Sequence, residues 1–364
     1  MNIYLDYAAT TPLDERVLDE MLPFLKGAFG NPDSLHSFGR SAALAVTAAR
    51  DKVAKILGVT PSEVYFTSGG TESDNWAVRS LGSGRALLSP IEHTAALSAA
   101  RLREGGYSLT NVGTDGIVTA GHIEKAITAD TGLVCVMAVN NETGCVQPLK
   151  EISAVCKAQK IPLFSDCEQA ACTQDLKEIC KFADAISLSG HKIGGPKGTG
   201  VLVVKKGAAI KPLVVGGEQE RGLRGGTLNV AGIVGLAKAL DLAQSSRAEF
   251  CKHTACLREL FEEKIFSALG STVKADGENR APNISHLTFE KGGEVFLNLL
   301  DLHGLAASGG AACSAHAALP SHVMLAMGRS EEEAKKGVRF SFGKETTREE
   351  VLFAADTVIK CLQE

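Results

Sequence analysis

Apolar residues recur at two different spacings between about residues 34 and 245 of this chain. The short apolar runs with the length of buried strands are 64–67, 86–88, 133–139, 162–165, 185–189 and 201–204. Between them, residues 34–57, 72–81 and 149–160 carry apolar positions at helical spacing. This alternation predicts the α/β class, with a mainly parallel central sheet and helices on both faces.

The pattern changes after about residue 247. A long charged helix comes first, followed by a strand at 284–289, a helix at 293–302, a strand at 338–342 and a closing helix. A single core seldom grows beyond roughly 250–300 residues, and this chain has 364. We therefore predict a large α/β domain over 13–246 and a smaller α+β domain over 247–364, which the N-terminal segment 1–12 joins.

Composition and charge favour chemistry on small molecules. The chain is 45% hydrophobic and 22% charged, with a formal net charge of −4, so it offers no basic field for a nucleic acid or an anionic membrane. No run approaches the roughly 20 apolar residues of a membrane helix, and residues 1–7 lack the basic start of a secretory signal. Ten cysteines without a CxxC pair favour a reducing compartment, and we expect a cytoplasmic protein.

A metal site is considered at Cys251, His253 and Cys256, which lie close together in sequence. They fall within a helical segment, and no second pair of ligands accompanies them at the spacing of a zinc site. We therefore expect no metal.

Lys192 is the first candidate for catalysis. It follows the predicted strand 185–189 and lies in a run of small residues, Ser189-Gly-His-Lys-Ile-Gly-Gly195. An amine crowded by backbone can lose its proton near neutral pH and form a Schiff base with an aldehyde cofactor such as pyridoxal 5'-phosphate (PLP). The alternative is a solvated lysine in a glycine-rich loop.

Three further loops follow predicted strands. The turn Ser68-Gly-Gly-Thr-Glu-Ser73 suits a phosphate at a helix start, although Ser68 or Thr71 could simply cap that helix. Asp166 could hold a pyridinium nitrogen while Gln169 donates to the ring oxygen, or it could cap the next helix. His93 could stack on a cofactor ring and exchange protons, or it could be an ordinary satisfied histidine.

Ordered motifs along nearly the whole chain resemble those of NifS/IscS-like cysteine desulfurases, PLP enzymes of the class V aminotransferase group with the fold-type I architecture. The motifs are Leu5-Asp-Tyr-Ala-Ala-Thr-Thr-Pro12, Phe66-Thr-Ser-Gly-Gly-Thr-Glu-Ser73, the His93 loop, Val139-Asn-Asn-Glu-Thr-Gly144, Asp166-x-x-Gln169, Ser189-Gly-His-Lys192, Gly222-Leu-Arg-Gly-Gly-Thr227 and Arg339-Phe-Ser-Phe342. The resemblance implies a PLP-dependent enzyme that converts L-cysteine to L-alanine.

The resemblance also implies roles for the cofactor-binding residues. Lys192 would carry the Schiff base, Asp166 would pair with the pyridine nitrogen, Gln169 would contact the ring hydroxyl, and His93 would stack on the ring and manage protons. The residues that would bind or shape the phosphate site are Gly70, Thr71, Ser189 and His191. Thr227 would reach the phosphate of the neighbouring subunit, which implies a homodimer.

The same resemblance assigns substrate binding and sulfur transfer to a second group of residues. Arg339 would clamp the substrate carboxylate with help from Asn141, which also lies at the cofactor, and from Asn31. Cys313, in a glycine- and alanine-rich loop, would carry sulfur as a persulfide and pass it to an acceptor protein, either an iron–sulfur scaffold or a tRNA-thiolating enzyme. Ala311 and Leu319 depart from the usual pattern beside Cys313.

Three other functions stay open at this point. A selenocysteine lyase would use much the same pocket, and an aminotransferase of the same fold would not need Cys313. A PLP-binding partner protein that has lost catalysis is the third alternative.

Overall fold

The computed structural model describes residues 2–309 and 319–363. Its strands are β1 (Ile3–Tyr4), β2 (Val64–Thr67), β3 (Arg85–Leu88), β4 (Tyr107–Leu109), β5 (Thr131–Cys135), β6 (Leu163–Asp166), β7 (Ala185–Ser189), β8 (Gly200–Val204), β9 (Val273–Ala275), β10 (Ile284–Phe289), β11 (Leu305–Ala306), β12 (Ser308–Gly309) and β13 (Gly337–Ser341). Its α-helices are α1 (Glu15–Lys26), α2 (Ser37–Leu57), α3 (Gly70–Ser80), α4 (Thr94–Arg101), α5 (Ala120–Ala126), α6 (Leu149–Gln159), α7 (Leu176–Phe182), α8 (Val230–Ser245), α9 (Arg247–Leu269), α10 (Glu294–Leu302), α11 (His322–Ala326), α12 (Glu331–Ala334) and α13 (Arg348–Gln363). In this part of the chain, none of the helices combines the length and the apolar content needed to cross a bilayer.

The central sheet has the strand order β2-β8-β7-β6-β5-β3-β4. The five strands from β7 to β4 pair in parallel, which confirms the predicted α/β class. β8 is antiparallel to both of its neighbours, β2 and β7. Since two antiparallel steps restore the direction, β2 runs the same way as β7, and its carboxyl end lies at the same edge of the sheet.

Side chains of the central strands alternate between two apolar layers, as the period of a β-strand requires. In β2, Val64 and Phe66 pack into the core formed with helices α1, α2 and α8. Tyr65 faces the opposite core, which α3 and α4 cover with Trp76 and Ala96. Because helices cover both faces, the sheet is buried and only the loops at its ends are left for chemistry.

A second sheet has the order β12-β13-β10-β9, and its neighbouring strands are antiparallel. Its core contains Phe261, Phe289 and Phe340, and it also buries Ile3 and Leu5 from the N-terminal segment. β1 pairs in parallel with β11, so the beginning of the chain lies against residues some 300 positions later. The domain boundary at residue 246 stays a prediction; Ser246 separates α8 from α9.

Candidate functional site

The carboxyl ends of β6 and β7 bring two candidate groups to one edge of the sheet. β6 ends at Asp166 and β7 ends at Ser189, and Asp166 is the register partner of Ser187 in the neighbouring strand. Lys192 closes the 3-10 turn Gly190–Lys192 that directly follows β7. In parallel sheets this is the edge at which ligands bind, so the sequence motifs meet where a site is expected.

Lys192 is largely buried and paired with an acid. Its side chain is 13% exposed, and its Nζ lies 3.2 Å from Oε2 of Glu168, whose side chain is 11% exposed. The alternative of a solvated lysine in a loose loop is therefore wrong. Glu168 was not among the residues singled out from the sequence, although it lies within the Asp166-x-x-Gln169 motif.

Asp166 is a buried acid at the end of its strand. Its Oδ1 accepts a hydrogen bond from the Glu168 backbone N–H at 2.9 Å. Burial first, and the charge of Glu168 second, raise the pKa of Asp166 to about 7, while the charge of Lys192 opposes the rise. A second cation beside this carboxyl would stabilise its ionised form.

Two further buried acids, Asp74 and Glu92, were missed by sequence reasoning. Asp74 lies on the buried face of α3, and its Oδ1 accepts a 2.6 Å hydrogen bond from the Ser187 hydroxyl. Burial and the charge of Asp166 raise the pKa of Asp74 well above its usual value. Burial likewise raises the pKa of Glu92 to about 8, although its Oε1 accepts the Met137 N–H at 2.7 Å. An acid on an otherwise buried helix face was the available signal for Asp74.

The start of α3 is formed by glycines. Gly69 is the N-cap residue with φ of 155°, and no side chain caps the helix there, so the alternative of a cap by Ser68 or Thr71 is wrong. A Cβ on Gly70 would come within 0.9 Å of Glu168 Oε1, so residue 70 must lack a side chain in this arrangement. Thr71 is exposed at the same turn.

The remaining phosphate candidates lie after β7. The Ser189 hydroxyl is buried and has no hydrogen-bond partner among the described residues, so it is available for a ligand. His191 Nδ1 lies 3.1 Å from the Thr10 hydroxyl, and burial followed by the charge of Lys192 lowers the pKa of His191. The N-terminal segment also holds Gln169, whose Nε2 donates to the Ala8 carbonyl at 2.7 Å.

His93 is the N-cap of α4. Its Nδ1 accepts a hydrogen bond from the Ala95 N–H at 3.2 Å. This bond fixes the ring against the first turn of α4. The carbonyl of the preceding Glu92 is 2.9 Å from His322 Nε2, so α11 contacts the same loop.

The substrate-binding candidates are brought together only in part. Arg339 is 2% exposed, and its Nη1 donates to the Asn141 backbone carbonyl at 2.6 Å. Asn31 is exposed and accepts a hydrogen bond from the Asp33 N–H, and Thr227 is exposed in another loop. Neither of these two hydrogen-bonds to Lys192, Asp166 or Arg339 within the described residues. Cys313 lies outside those residues.

The fold places Lys192 and Asp166 at the carboxyl edge of a parallel sheet, where α/β proteins bind their ligands. A family model, Aminotransferase class-V, matches residues 3–353. The chain belongs to the class-V aminotransferase family, whose members in general depend on PLP.

Known proteins resemble the chain along nearly its whole length. "Cysteine desulfurase IscS" of Dictyoglomus turgidum (strain DSM 6724 / Z-1310) is 38% identical, with 99% of this chain and 94% of that protein covered. "Cysteine desulfurase IscS" of Methanosarcina thermophila is 39% identical, with 99% and 92% covered. Among solved structures, "NIFS-LIKE PROTEIN" has a TM-score of 0.91 and 35% identity over 100% of both chains. A NifS-like protein from Rickettsia africae ESF-5 has a TM-score of 0.91 and 30% identity over the same coverage.

Proposed function

We propose that this protein is a PLP-dependent cysteine desulfurase, which converts L-cysteine to L-alanine and transfers the sulfur to an enzyme cysteine. The observation that carries the proposal is the largely buried Lys192 in the turn after β7, whose charge acts on the buried Asp166 at the end of β6. Relatives named cysteine desulfurase, similar over almost the entire chain, support the same activity.

The residues at the carboxyl edge fit PLP. Asp166 is a buried acid that a pyridinium would stabilise, and the Ser189 hydroxyl, which has no partner in the described part of the chain, could donate to a phosphate oxygen. Lys192 would bind the cofactor aldehyde covalently, and Gln169, His93 and the start of α3 would complete the site. PLP bound there would act as an electron sink for negative charge at the substrate α-carbon.

The protein's own groups would orient the substrate and move its protons. Arg339, whose Nη1 donates to Asn141 and whose Nε has no hydrogen-bond partner among the described residues, would bind the substrate carboxylate through a planar pair of N–H donors. Lys192, once free, would take the proton from the substrate α-carbon, and His93 would handle the proton of the substrate thiol. The Cys313 thiolate would bond to the substrate sulfur as the carbon–sulfur bond breaks, and the carbon skeleton would take up protons to become alanine.

Delivery of the sulfur is also part of the proposal. We infer that the enzyme acts in the cytoplasm as a homodimer in which Thr227 completes the neighbouring site. The persulfide on Cys313 would pass to a transient acceptor protein, an iron–sulfur scaffold or a tRNA-thiolating enzyme. The exposure of Thr227 supports the homodimer, because a residue that serves a second subunit has to lie at the surface of its own chain.

One experiment tests the activity directly. The purified protein is mixed with L-cysteine and a thiol reductant, and alanine and sulfide are followed together with the absorbance of the bound cofactor. Equal amounts of alanine and sulfide from the wild type, with neither product from Lys192→Ala, support the proposal. Glutamate formed from 2-oxoglutarate in place of sulfide would overturn it in favour of amino transfer, and a marked preference for selenocysteine would indicate a selenocysteine lyase.

A further inference from the structure

The Glu168 carboxylate lies in the candidate site, and the proposed reaction gives it no role. Its Oε2 pairs with Lys192 Nζ at 3.2 Å, and its Oε1 is buried without a hydrogen-bond partner among the described residues. A buried carboxylate oxygen that makes no hydrogen bond is unfavourable, so some other interaction must hold the side chain in place. The ion pair with Lys192 is that interaction.

This carboxylate lies directly against Gly70. A Cβ at residue 70 would come within 0.9 Å of Glu168 Oε1, at the first residue of α3. The Glu168 side chain therefore fills the space between the Lys192 amine and the turn that is proposed to bind the cofactor phosphate. An aldehyde cofactor that bonds to Lys192 and rests its phosphate on this turn needs the same space.

The charges around Lys192 also indicate that Glu168 and an anionic cofactor cannot share this space. Glu168 and Asp166 lie close enough that the charge of Glu168 raises the pKa of Asp166, and Lys192 is a cation that offsets both acids. A phosphate at the start of α3 would add further negative charge beside Glu168, and like charges at short distance repel strongly in a poorly solvated site. The carboxylate therefore has to leave Lys192 when the anionic cofactor arrives.

We propose that Glu168 is a positioning residue that holds Lys192 as its counter-ion and must release it before the lysine bonds to an aldehyde. In that bonding step the ammonium group gives a proton to solvent, the nitrogen attacks the aldehyde carbon, and the carbonyl oxygen leaves as water. The ion pair must break before the nitrogen reaches the carbon. The importance of this step for cofactor loading rests on the proposed function, so it is tested first without the cofactor.

The test uses the full-length protein stripped of cofactor, with formaldehyde as a minimal aldehyde and cyanoborohydride to reduce the product. Peptide mass spectrometry then gives the rate at which Lys192 is methylated. Glu168→Gln should raise this rate roughly three- to tenfold, the effect of removing one partly buried ion pair. Gly70→Ala should raise it similarly at unchanged net charge, because the added methyl group displaces the carboxylate.

Glu178→Gln is the matched control. Glu178 pairs with Lys181 at the surface, where both side chains are more than half exposed, so the substitution makes the same charge change far from the site. The methylation rate of Lys192 should equal that of the wild type in this variant. Circular dichroism of each variant confirms that the fold is retained, and Gly70→Ala keeps the test decisive if Glu168→Gln does not fold.

The outcomes separate this proposal from the proposed function. Equal methylation of Lys192 in the wild type and Glu168→Gln would overturn the role of Glu168, whatever the cofactor does. Faster methylation together with faster uptake of PLP, followed by absorbance, supports both proposals. Faster methylation in a protein that takes up no PLP in any variant would support the counter-ion role and overturn the proposed function.

Discussion

The Arg339 guanidinium donates to the Asp6 carboxylate, with 2.7 Å between Nη2 and Oδ1, and so ties β13 to the N-terminal segment. The same guanidinium reaches the Asn141 carbonyl through Nη1, while its Nε has no hydrogen-bond partner among the described residues. One side chain thus joins three distant parts of the chain. Arg339 is held in position before any substrate carboxylate arrives.

Removing the charge of Asp6 should destabilise the protein. In Asp6→Asn the guanidinium, whose side chain is 3% exposed, loses its counter-ion, which should lower the free energy of unfolding by about 2–3 kcal/mol. Urea denaturation measures the change. Asp356→Asn, which breaks the surface pair with Lys264, is the control and should change stability by less than about 1 kcal/mol. Equal effects of the two substitutions would contradict the importance of burial at Arg339.

Arg339→Lys should weaken cysteine binding. Lysine keeps the positive charge but loses the planar pair of donors that fits a carboxylate, so the KM for L-cysteine should rise roughly tenfold or more. The kcat should change much less, because the group binds the substrate and does not move protons. Steady-state sulfide release gives both constants, and an unchanged KM would rule out Arg339 as the carboxylate clamp.

The raised pKa of Asp166 predicts a pH-dependent stability of the cofactor-free protein. The folded state keeps a proton on this carboxyl up to about pH 7, whereas the unfolded chain releases it near the ordinary aspartate pKa of 3.8. The free energy of unfolding should therefore fall as the pH rises from about 4 to about 7, with Asp166 accounting for at most about 4 kcal/mol.

In Asp166→Asn the free energy of unfolding should fall less steeply with rising pH than in the wild type, when urea denaturation is repeated across the pH range. Asp51→Asn, at an exposed position of α2, should leave the slope as in the wild type. A slope in Asp166→Asn as steep as that of the wild type would assign the effect to Asp74 and Glu92 instead.

Cys313→Ser should separate cofactor chemistry from sulfur transfer. The variant should still bind the cofactor and L-cysteine, seen as absorbance changes on mixing, but release of alanine and sulfide should fall by roughly a hundredfold or more because no thiolate attacks the substrate sulfur. Cys256→Ser, which alters an exposed cysteine of α9, should behave like the wild type. Wild-type sulfide release by Cys313→Ser would remove this residue from the mechanism.

Much of the fold followed from periodicity. The predicted strands 185–189 and 284–289 coincide with β7 and β10, because short apolar runs bounded by polar turns leave little freedom in where a buried strand begins and ends. The end of the strand in the run 133–139 was harder to predict. β5 ends at Cys135, yet the N–H groups of Val136 and Ala138 still donate to carbonyls of β6. Hydropathy identifies a buried extended segment, but the ladder of hydrogen bonds decides where the strand ends.

The candidate site was only partly visible in the same way. Lys192, Asp166 and Ser189 could be expected at one edge because parallel strands place their carboxyl ends together. Asp74 and Glu92 could not be expected there from the sequence, since their closeness to Asp166 depends on how α3 and the loop after β3 pack onto the sheet.

The sequence by itself determined the α/β class, six of the seven strands of the central sheet and the set of groups available for chemistry, because these depend on local periodicity and residue type. The tertiary structure alone decided that Glu168 pairs with Lys192 beside Gly70 and that Arg339 pairs with Asp6. Both contacts join residues far apart in the chain, and their energies fall steeply with distances that only the packed fold sets.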